Sequence, residues 1–398
     1  LVAGKGRLLC ALDRKKINKT AASALLKVGL NDDAELLKKT VSDLPLAIRQ
    51  RVAIARAIAS DARLVIMDEP TTSLTRHEVE VLIDVVGRLL SNNVAVLFVT
   101  HKLEESYRIG GEVIVFRDGL CVAQGPLENY SRSNLSELMT GRSIDSVLYR
   151  TGSPKTEVLI EAQGLSLGKS FKDINFHLKR GEILGVTGLS DSGRNELALT
   201  LAGHQILQQG SITLQGKQIR LASPADAIKH GIGYIPEDRL AEGLFFEKSI
   251  YENEVPLILD EISNAFGLLD DVKGRAVAHK ISEGMDLNTE NIDLPVGALS
   301  GGNQQRVLIG RWLSINPKLL ILHGPTVGVD VGSKETIFYA MQKMAARGIG
   351  LLIVSDDLPE LLQNCDRILV MNSGRIVKSL VANEATESLI YQSMLASA

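Results

Sequence analysis

Residues Ile183-Leu-Gly-Val-Thr187 form an apolar run, followed by Gly188-Leu189-Ser190-Asp191-Ser192-Gly193-Arg194-Asn195 and then by a stretch of helical spacing from Glu196 to Ala202. A strand, a glycine-rich loop and a helix in that order gather backbone N–H groups at a helix N-terminus, an arrangement that binds phosphate. All eight loop residues are therefore candidates for holding a nucleotide. The Lys-Ser/Thr pair that usually ends such a loop is here Arg194-Asn195. Arginine keeps a positive charge but presents a planar fork in place of a compact ammonium, and an asparagine is a weaker magnesium ligand than a hydroxyl. Alone, the segment also fits a plain glycine turn; its surroundings favour phosphate.

Those surroundings are duplicated. Leu64-Val-Ile-Met-Asp-Glu-Pro-Thr71 and Leu319-Leu-Ile-Leu-His-Gly-Pro-Thr326 share one shape, and Leu319 follows Leu64 by 255 residues. The same offset carries Gln50-Arg51-Val52 onto Gln305-Arg306-Val307, Arg56 onto Arg311 and Gly119 onto Gly374. One spacing for four anchors marks an internal repeat. Residues 63–67 and 318–322 are short apolar runs ahead of a proline, as expected of buried parallel strands. Helical periodicity over 77–91 precedes a strand at Val94–Val99, and over 333–347 one at Gly350–Val354. This alternation predicts an α/β fold with mostly parallel sheets and crossover helices. Ser143–Thr156 mixes Gly, Ser, Pro and charges without periodicity, which suggests a linker (143–156) between a first domain at 1–142 and a second at 157–398. The offset places the first domain's phosphate loop ahead of Leu1, and the expectation is that this domain has lost its front.

Bulk properties narrow the function. A chain of 398 residues accommodates two domains with cores of their own. Hydrophobic residues at 45% and charged residues at 23% are globular values, and a net charge of -3 offers no general attraction for nucleic acid or anionic lipid. Cys10, Cys121 and Cys365 lie far apart without metal-ligand spacing and read as reduced cytosolic thiols. No apolar run approaches the roughly 18 residues that span a bilayer, so any membrane link must come through a partner.

The most specific string is Leu299-Ser300-Gly301-Gly302-Asn303-Gln304-Gln305, directly before a helical stretch. Ser300 is a candidate N-cap, and the two glycines would let backbone N–H groups approach an anion, so Ser300, Gly301, Gly302, Asn303 and Gln304 are candidates for contacting a terminal phosphate. This wording resembles the signature of ATP-binding-cassette ATPases, in the form found in the second half of tandem ATPases of ribose, xylose and galactose import. Gly188–Glu196 resembles that family's arginine-bearing second P-loop, Tyr234-Ile-Pro-Glu-Asp-Arg239 its Q-loop region and Gly328-Val-Asp330 its D-loop. Asp68-Glu-Pro-Thr-Thr-Ser-Leu-Thr75 and Val99-Thr-His101 resemble Walker B, D-loop and switch histidine.

The resemblance implies P-loop NTPase domains in tandem, with ATP and Mg2+ as cofactors. It implies that Asp68 holds magnesium through water, that Glu69 orients or deprotonates the attacking water, and that His101 contacts the terminal phosphate. It also implies transmembrane permease subunits as partners, a periplasmic or extracellular solute-binding protein as an indirect one, and a peripheral place on the cytoplasmic face of the membrane. No basic cluster points to nucleic acid, and only 111 residues separate Gly188 from Leu299, too few for the long coiled coil of repair-type relatives.

In this family each ATP lies between one half's Walker motifs and the other's signature. Asp68, Glu69 and His101 would then face the intact Ser300–Asn303. The opposite pairing is degraded: the first half's signature position reads Leu44-Pro-Leu-Ala-Ile48, and His323, Gly324 and Asp356 stand opposite Asp68, Glu69 and His101. An imidazole suits magnesium poorly, and a glycine cannot act as a base. A transport ATPase is the leading reading; a degenerate, non-hydrolysing cassette is the alternative.

Overall fold

The structure, a computed structural model, describes residues 14–30, 39–41, 44, 46–60, 62–71, 76–100, 102–117, 119–140, 148–150, 152–189, 191–264, 267–287, 291–329 and 331–395. Pro45, His101, Ser190 and Asp330, all singled out above, lie outside the described residues. The chain divides into two compact units, Leu1–Asp145 and Ser146–Ala398.

In the first unit β1 (Leu64–Asp68) pairs in parallel with β2 (Ala95–Val99), and β3 (Glu112–Arg117) forms an antiparallel hairpin with β4 (Leu120–Pro126). The helix Arg76–Ser91 connects β1 to β2 and buries Leu82, Val85, Val86 and Leu89, one stripe at helical spacing. This stripe packs with Val65 and Met67 of β1 and with Leu25 and Val28 from the helix Arg14–Lys27.

The second unit is built on two sheets. β5 (Val158–Leu167), β6 (Phe171–Lys179), β8 (Gln209–Leu214) and β9 (Lys217–Ile219) form an antiparallel layer in the order β6-β5-β8-β9. The central sheet runs β10-β11-β12-β7-β13-β14, from β10 (Ile232–Ile235), β11 (Leu319–His323), β12 (Gly350–Val354), β7 (Ile183–Gly188), β13 (Arg367–Asn372) and β14 (Arg375–Val381). All its pairs are parallel except β13 with β14. One face packs on the antiparallel layer and the helix Arg194–Leu201; the other packs on helices that include Gly301–Leu313 and Val331–Ala346.

The duplication is structural. β1, β2, β3 and β4 recur as β11, β12, β13 and β14, each 255 residues on with identical length, and the helix Leu46–Ile58 recurs as Gly301–Leu313. Even the register recurs: Leu64 faces Ala95 as Leu319 faces Gly350. The strands differ in burial, against expectation for the first unit. β11 and β12 are buried throughout, whereas in β1 and β2 alternate residues are exposed, Ile66 by 63% and Leu97 by 47%. The counterparts of these positions, Ile321 and Leu352, are covered by the antiparallel layer, which has no equivalent among the described residues of the first unit.

The boundary also differs from the sequence reading. Within 143–156, Tyr149 and Arg150 belong to the second unit. The Tyr149 ring lies 5.1 Å from Phe338 and 5.3 Å from Tyr339, and Arg150 Nε donates to Asp366 Oδ1 at 2.7 Å. A stretch without periodicity is thus pinned by one aromatic and one ion pair that local spacing cannot display.

Candidate nucleotide site

β7 is hydrogen-bonded to β12 on one edge and β13 on the other, so its C-terminal end is fixed where the loop begins. Gly188 has no room for a side chain: a Cβ there would lie 2.5 Å from both Met371 O and Ser192 Oγ. Gly193 adopts φ +86° as N-cap of the helix Arg194–Leu201, and its Cβ would lie 2.3 Å from Ser170 O. Only glycine fits such close backbone approaches. These contacts close the loop, with the Ser192 N–H donating to Leu189 O at 2.9 Å and the Gly374 N–H to Ser192 O at 3.1 Å.

Inside this loop polar atoms are buried without partners. Thr187 Oγ1, Ser192 Oγ, Arg194 Nε and Asn195 Oδ1 have none among the described residues. Arg194 is only 8% exposed; its Nη1 donates to Gly188 O at 2.8 Å and its Nη2 lies 3.7 Å from the exposed Asp356. Buried polar groups are normally paired, so four orphans in nine consecutive residues mark a place completed by a ligand. Leu189 and Asp191 sit exposed on the loop's rim.

At the ends of the neighbouring strands stand Glu237, His323, Gly324 and Asp356. His323 Nε2 lies 3.4 Å from Glu237 Oε2 and Nδ1 lies 3.2 Å from the Tyr234 hydroxyl. A carboxylate beside Nε2 places the proton there, leaving Nδ1 to accept from Tyr234. Burial, reinforced by Arg194, lowers the His323 pKa to about 4, so the ring is neutral at neutral pH. Burial, then the Asp356 charge, raises that of Glu237. The phosphate-binding character of the loop fits a nucleotide, but the donors around it do not fit magnesium, which prefers oxygen ligands. His323 has both nitrogens engaged, Gly324 offers no donor, and no group of three or more His, Cys, Asp or Glu suited to a metal occurs among the described residues.

The signature segment serves its own unit. Ser300 caps the helix Gly301–Leu313, its Oγ accepting from the Asn303 N–H at 3.4 Å, as expected. Its glycines have an additional cause. A Cβ on Gly301 would lie 2.8 Å from Gly328 O, and one on Gly302 would lie 2.3 Å from Ser333 Cβ. Asn303 accepts from Arg306. Gln304 is buried, donating to Leu299 O at 2.9 Å and accepting from Arg239 Nε at 3.3 Å. Arg239 also donates to Val327 O and Gly328 O, so one guanidinium ties the Tyr234–Arg239 region, the signature helix and the segment after β11 together. Its joining role is invisible in the sequence, since it consists of long-range contacts to carbonyls.

In the first unit Asp68 and Glu69 are exposed at the end of β1. Glu69 holds φ 41°, and its N–H donates to Val99 O at 2.9 Å. Gly324, its counterpart, holds φ 55° with its N–H on Val354 O at 2.8 Å. The turn demands a left-handed residue in both units, and the first accepts a glutamate there against its steric preference. A second repeated pair escaped the sequence reading: Thr100 Oγ1 donates to Glu105 Oε2 at 2.9 Å, and Ser355 Oγ to Glu360 Oε2 at 3.0 Å. The 255-residue offset links both pairs and could have found them.

Two outcomes follow from this geometry. Relieving the turn at Glu69 favours glycine, so in urea unfolding Glu69→Gly should be more stable than Glu69→Ala by about 1 kcal/mol, the reverse of their order in a helix. Burial, then Asp357, raises the Glu360 pKa to about 8. The folded state keeps a proton that the unfolded chain releases near 4.5, so this contribution is whole below that pH and lost as pH rises towards 8. Glu360→Gln should therefore gain stability relative to wild type across that window, by roughly 1 kcal/mol or more. Parallel pH profiles of the two proteins would contradict this.

Comparison with known proteins agrees with the duplicated cassette. The ABC transporter family model matches residues 6–72 and 171–327. A ribose import ATP-binding protein of Rubrobacter xylanophilus is 40% identical over 376 residues, covering 94% of this chain and 75% of that protein. A ribose import ATP-binding protein of Lactococcus lactis subsp. lactis is 38% identical over 382 residues, covering 96% and 76%. A putative ribose/galactose/methyl galactoside import ATP-binding protein of Agrobacterium fabrum is 38% identical, covering 92% and 72%. Among solved structures, a nucleotide-free ATP-binding cassette from an ABC transporter superposes with TM-score 0.52 at 22% identity, covering 59% of this chain and 95% of that one. Its likeness bears on fold alone. With the family model spread over both units and relatives aligned along nearly the whole length, the chain belongs to the ABC transporter family, as an ATP-binding-cassette ATPase with a duplicated cassette.

Proposed function

We propose that this chain is the ATP-binding subunit of an importer for ribose or a related sugar, seated on transmembrane permease subunits at the cytoplasmic face of the membrane and served from the other side by a solute-binding protein. The observation that carries this reading is the near-full-length similarity to relatives named for ribose import. No helix among the described residues is long and apolar enough to cross a membrane, which agrees with a separate permease.

In this reading ATP closes the two cassettes head to tail, and hydrolysis belongs to one of the two sites. Asp68 holds magnesium through water, Glu69 orients the attacking water, and His101 contacts the terminal phosphate. Ser300 to Asn303 complete that site from the second unit. The strained φ of Glu69 supports this assignment, since backbone strain that a glycine would relieve is tolerated where a side chain is needed. The loop 188–195 belongs to the other site, which lacks a base at Gly324.

The test is uptake of labelled ribose by cells whose own copy of this protein carries single substitutions. Glu69→Gln should lower uptake by about a hundredfold or more, the usual cost of losing general-base help. Ser300→Arg should abolish it while leaving nucleotide capture intact, because the added cation blocks closure and not first binding. Near-parental uptake in both variants would overturn the reading. Loss of uptake for another sugar, with ribose never taken up, would move the substrate within the class.

A further inference from the structure

The loop 188–195 is built for phosphate, yet what surrounds it departs from what a magnesium triphosphate needs. We propose that the second unit takes a nucleoside diphosphate without a divalent cation, and that Glu237 and Asp356 turn a triphosphate away. The proposal rests on assigning 188–195 as a nucleotide site and goes beyond it by naming the ligand's charge state.

The anion side is provided. Ser192, 1% exposed, has a hydroxyl without a partner among the described residues, and the guanidinium of Arg194 is buried beside it with Nε unengaged. Backbone N–H groups at the start of the helix Arg194–Leu201 add their dipoles. Arginine forks match the paired oxygens of a phosphate and carry a charge that does not depend on pH.

The cation side is withdrawn. Where the first unit has the carboxylate of Asp68, the second has His323, whose two ring nitrogens already face Tyr234 and Glu237. Where the first has Glu69, the second has Gly324, and a side chain there would lie 2.8 Å from Val327 Cγ2. Asn195 offers one neutral oxygen. Magnesium holds to near-octahedral oxygen coordination and gives up water reluctantly, so this set supplies too little to fix it.

Charge then selects the length of the phosphate chain. A phosphate loop holds the inner phosphates on its backbone, and a terminal phosphate extends towards the ends of the neighbouring strands. Here those ends carry Glu237, just after β10, and Asp356, just after β12. Asp356 occupies the position that is His101 in the first unit. The two carboxylates lie near one cation, Arg194, with which Asp356 makes a 3.7 Å contact. A diphosphate leaves that balance close to neutral. A third phosphate would bring further negative charge against two carboxylates with no metal to offset it.

The experiment is a titration of the full chain with fluorescent N-methylanthraniloyl ADP and ATP, each in excess EDTA and in excess magnesium. ADP should bind with affinity equal within about twofold in the two conditions, and ATP in EDTA should bind at least about tenfold more weakly than ADP. The double variant Glu237→Gln, Asp356→Asn should close the gap between ATP and ADP. Arg194→Ala, checked for folding by its thermal transition, should lose both nucleotides. Tenfold tightening of ADP by magnesium would overturn the cation-free site, and equal binding of ATP and ADP in wild type would overturn the discrimination. Binding that survives Arg194→Ala would place the ligand elsewhere. No binding of either nucleotide would remove 188–195 as a nucleotide site; the import reading would still stand or fall on Glu69 and sugar uptake.

Discussion

β7 is clamped by hydrogen bonds on both edges, to β12 and to β13, and this double pairing is the constraint from which the second unit's chemistry follows. A strand held on both sides delivers its last residue, Gly188, to one place. There a side chain would collide with Met371 O, and the chain must turn back as a tight loop. The turn buries Ser192 and Arg194 before they find partners. Flanking strands end beside the same loop, so whatever follows β10, β11 and β12 surrounds its ligand. Parallel sheets concentrate function at these carboxyl ends for that reason.

The duplication shows how one frame carries unequal sites. The backbone at Glu69 and at Gly324 is nearly the same, left-handed with its N–H bonded to the adjoining strand, and only the side chain differs. The first unit accepts strain and gains a carboxylate; the second relaxes to glycine and loses a base. Below both turns a hydroxyl bonded to a glutamate recurs, as Thr100 with Glu105 and Ser355 with Glu360. The scaffold has therefore been kept while the groups facing phosphate have diverged, an arrangement suited to one working site and one holding site.

Much of this was legible in the residues. The apolar run before Pro70 and its partner 255 residues on located β1 and β11 to within a residue, because a buried parallel strand needs a continuous apolar run and both copies supply one. The phosphate loop was legible because glycine spacing reports backbone geometry directly. What stayed hidden depends on distant partners. Arg150 looked like linker until Asp366 was beside it. Gln304 looked like a phosphate contact until its amide was found on Leu299 O and Arg239. The signature glycines were read as clearance for an anion, and they also clear Gly328 and Ser333 of their own unit. Exposure of Ile66 and Leu97 was equally beyond reach, since an apolar residue in a strand does not announce what covers it.

The claim on which the account turns is that the amides and buried polar groups of 188–195 hold phosphate. Hydrogen–deuterium exchange of the full chain with and without ADP tests it most directly, because it reads each backbone N–H in place. The account predicts slowed exchange concentrated in the peptide containing Leu189 to Asn195, with the Leu299 to Gln304 peptide unchanged, since those residues are committed to Gly328, Ser333 and Arg239. Unaltered exchange at 188–195 under saturating ADP, or protection confined to 299–304, would contradict it.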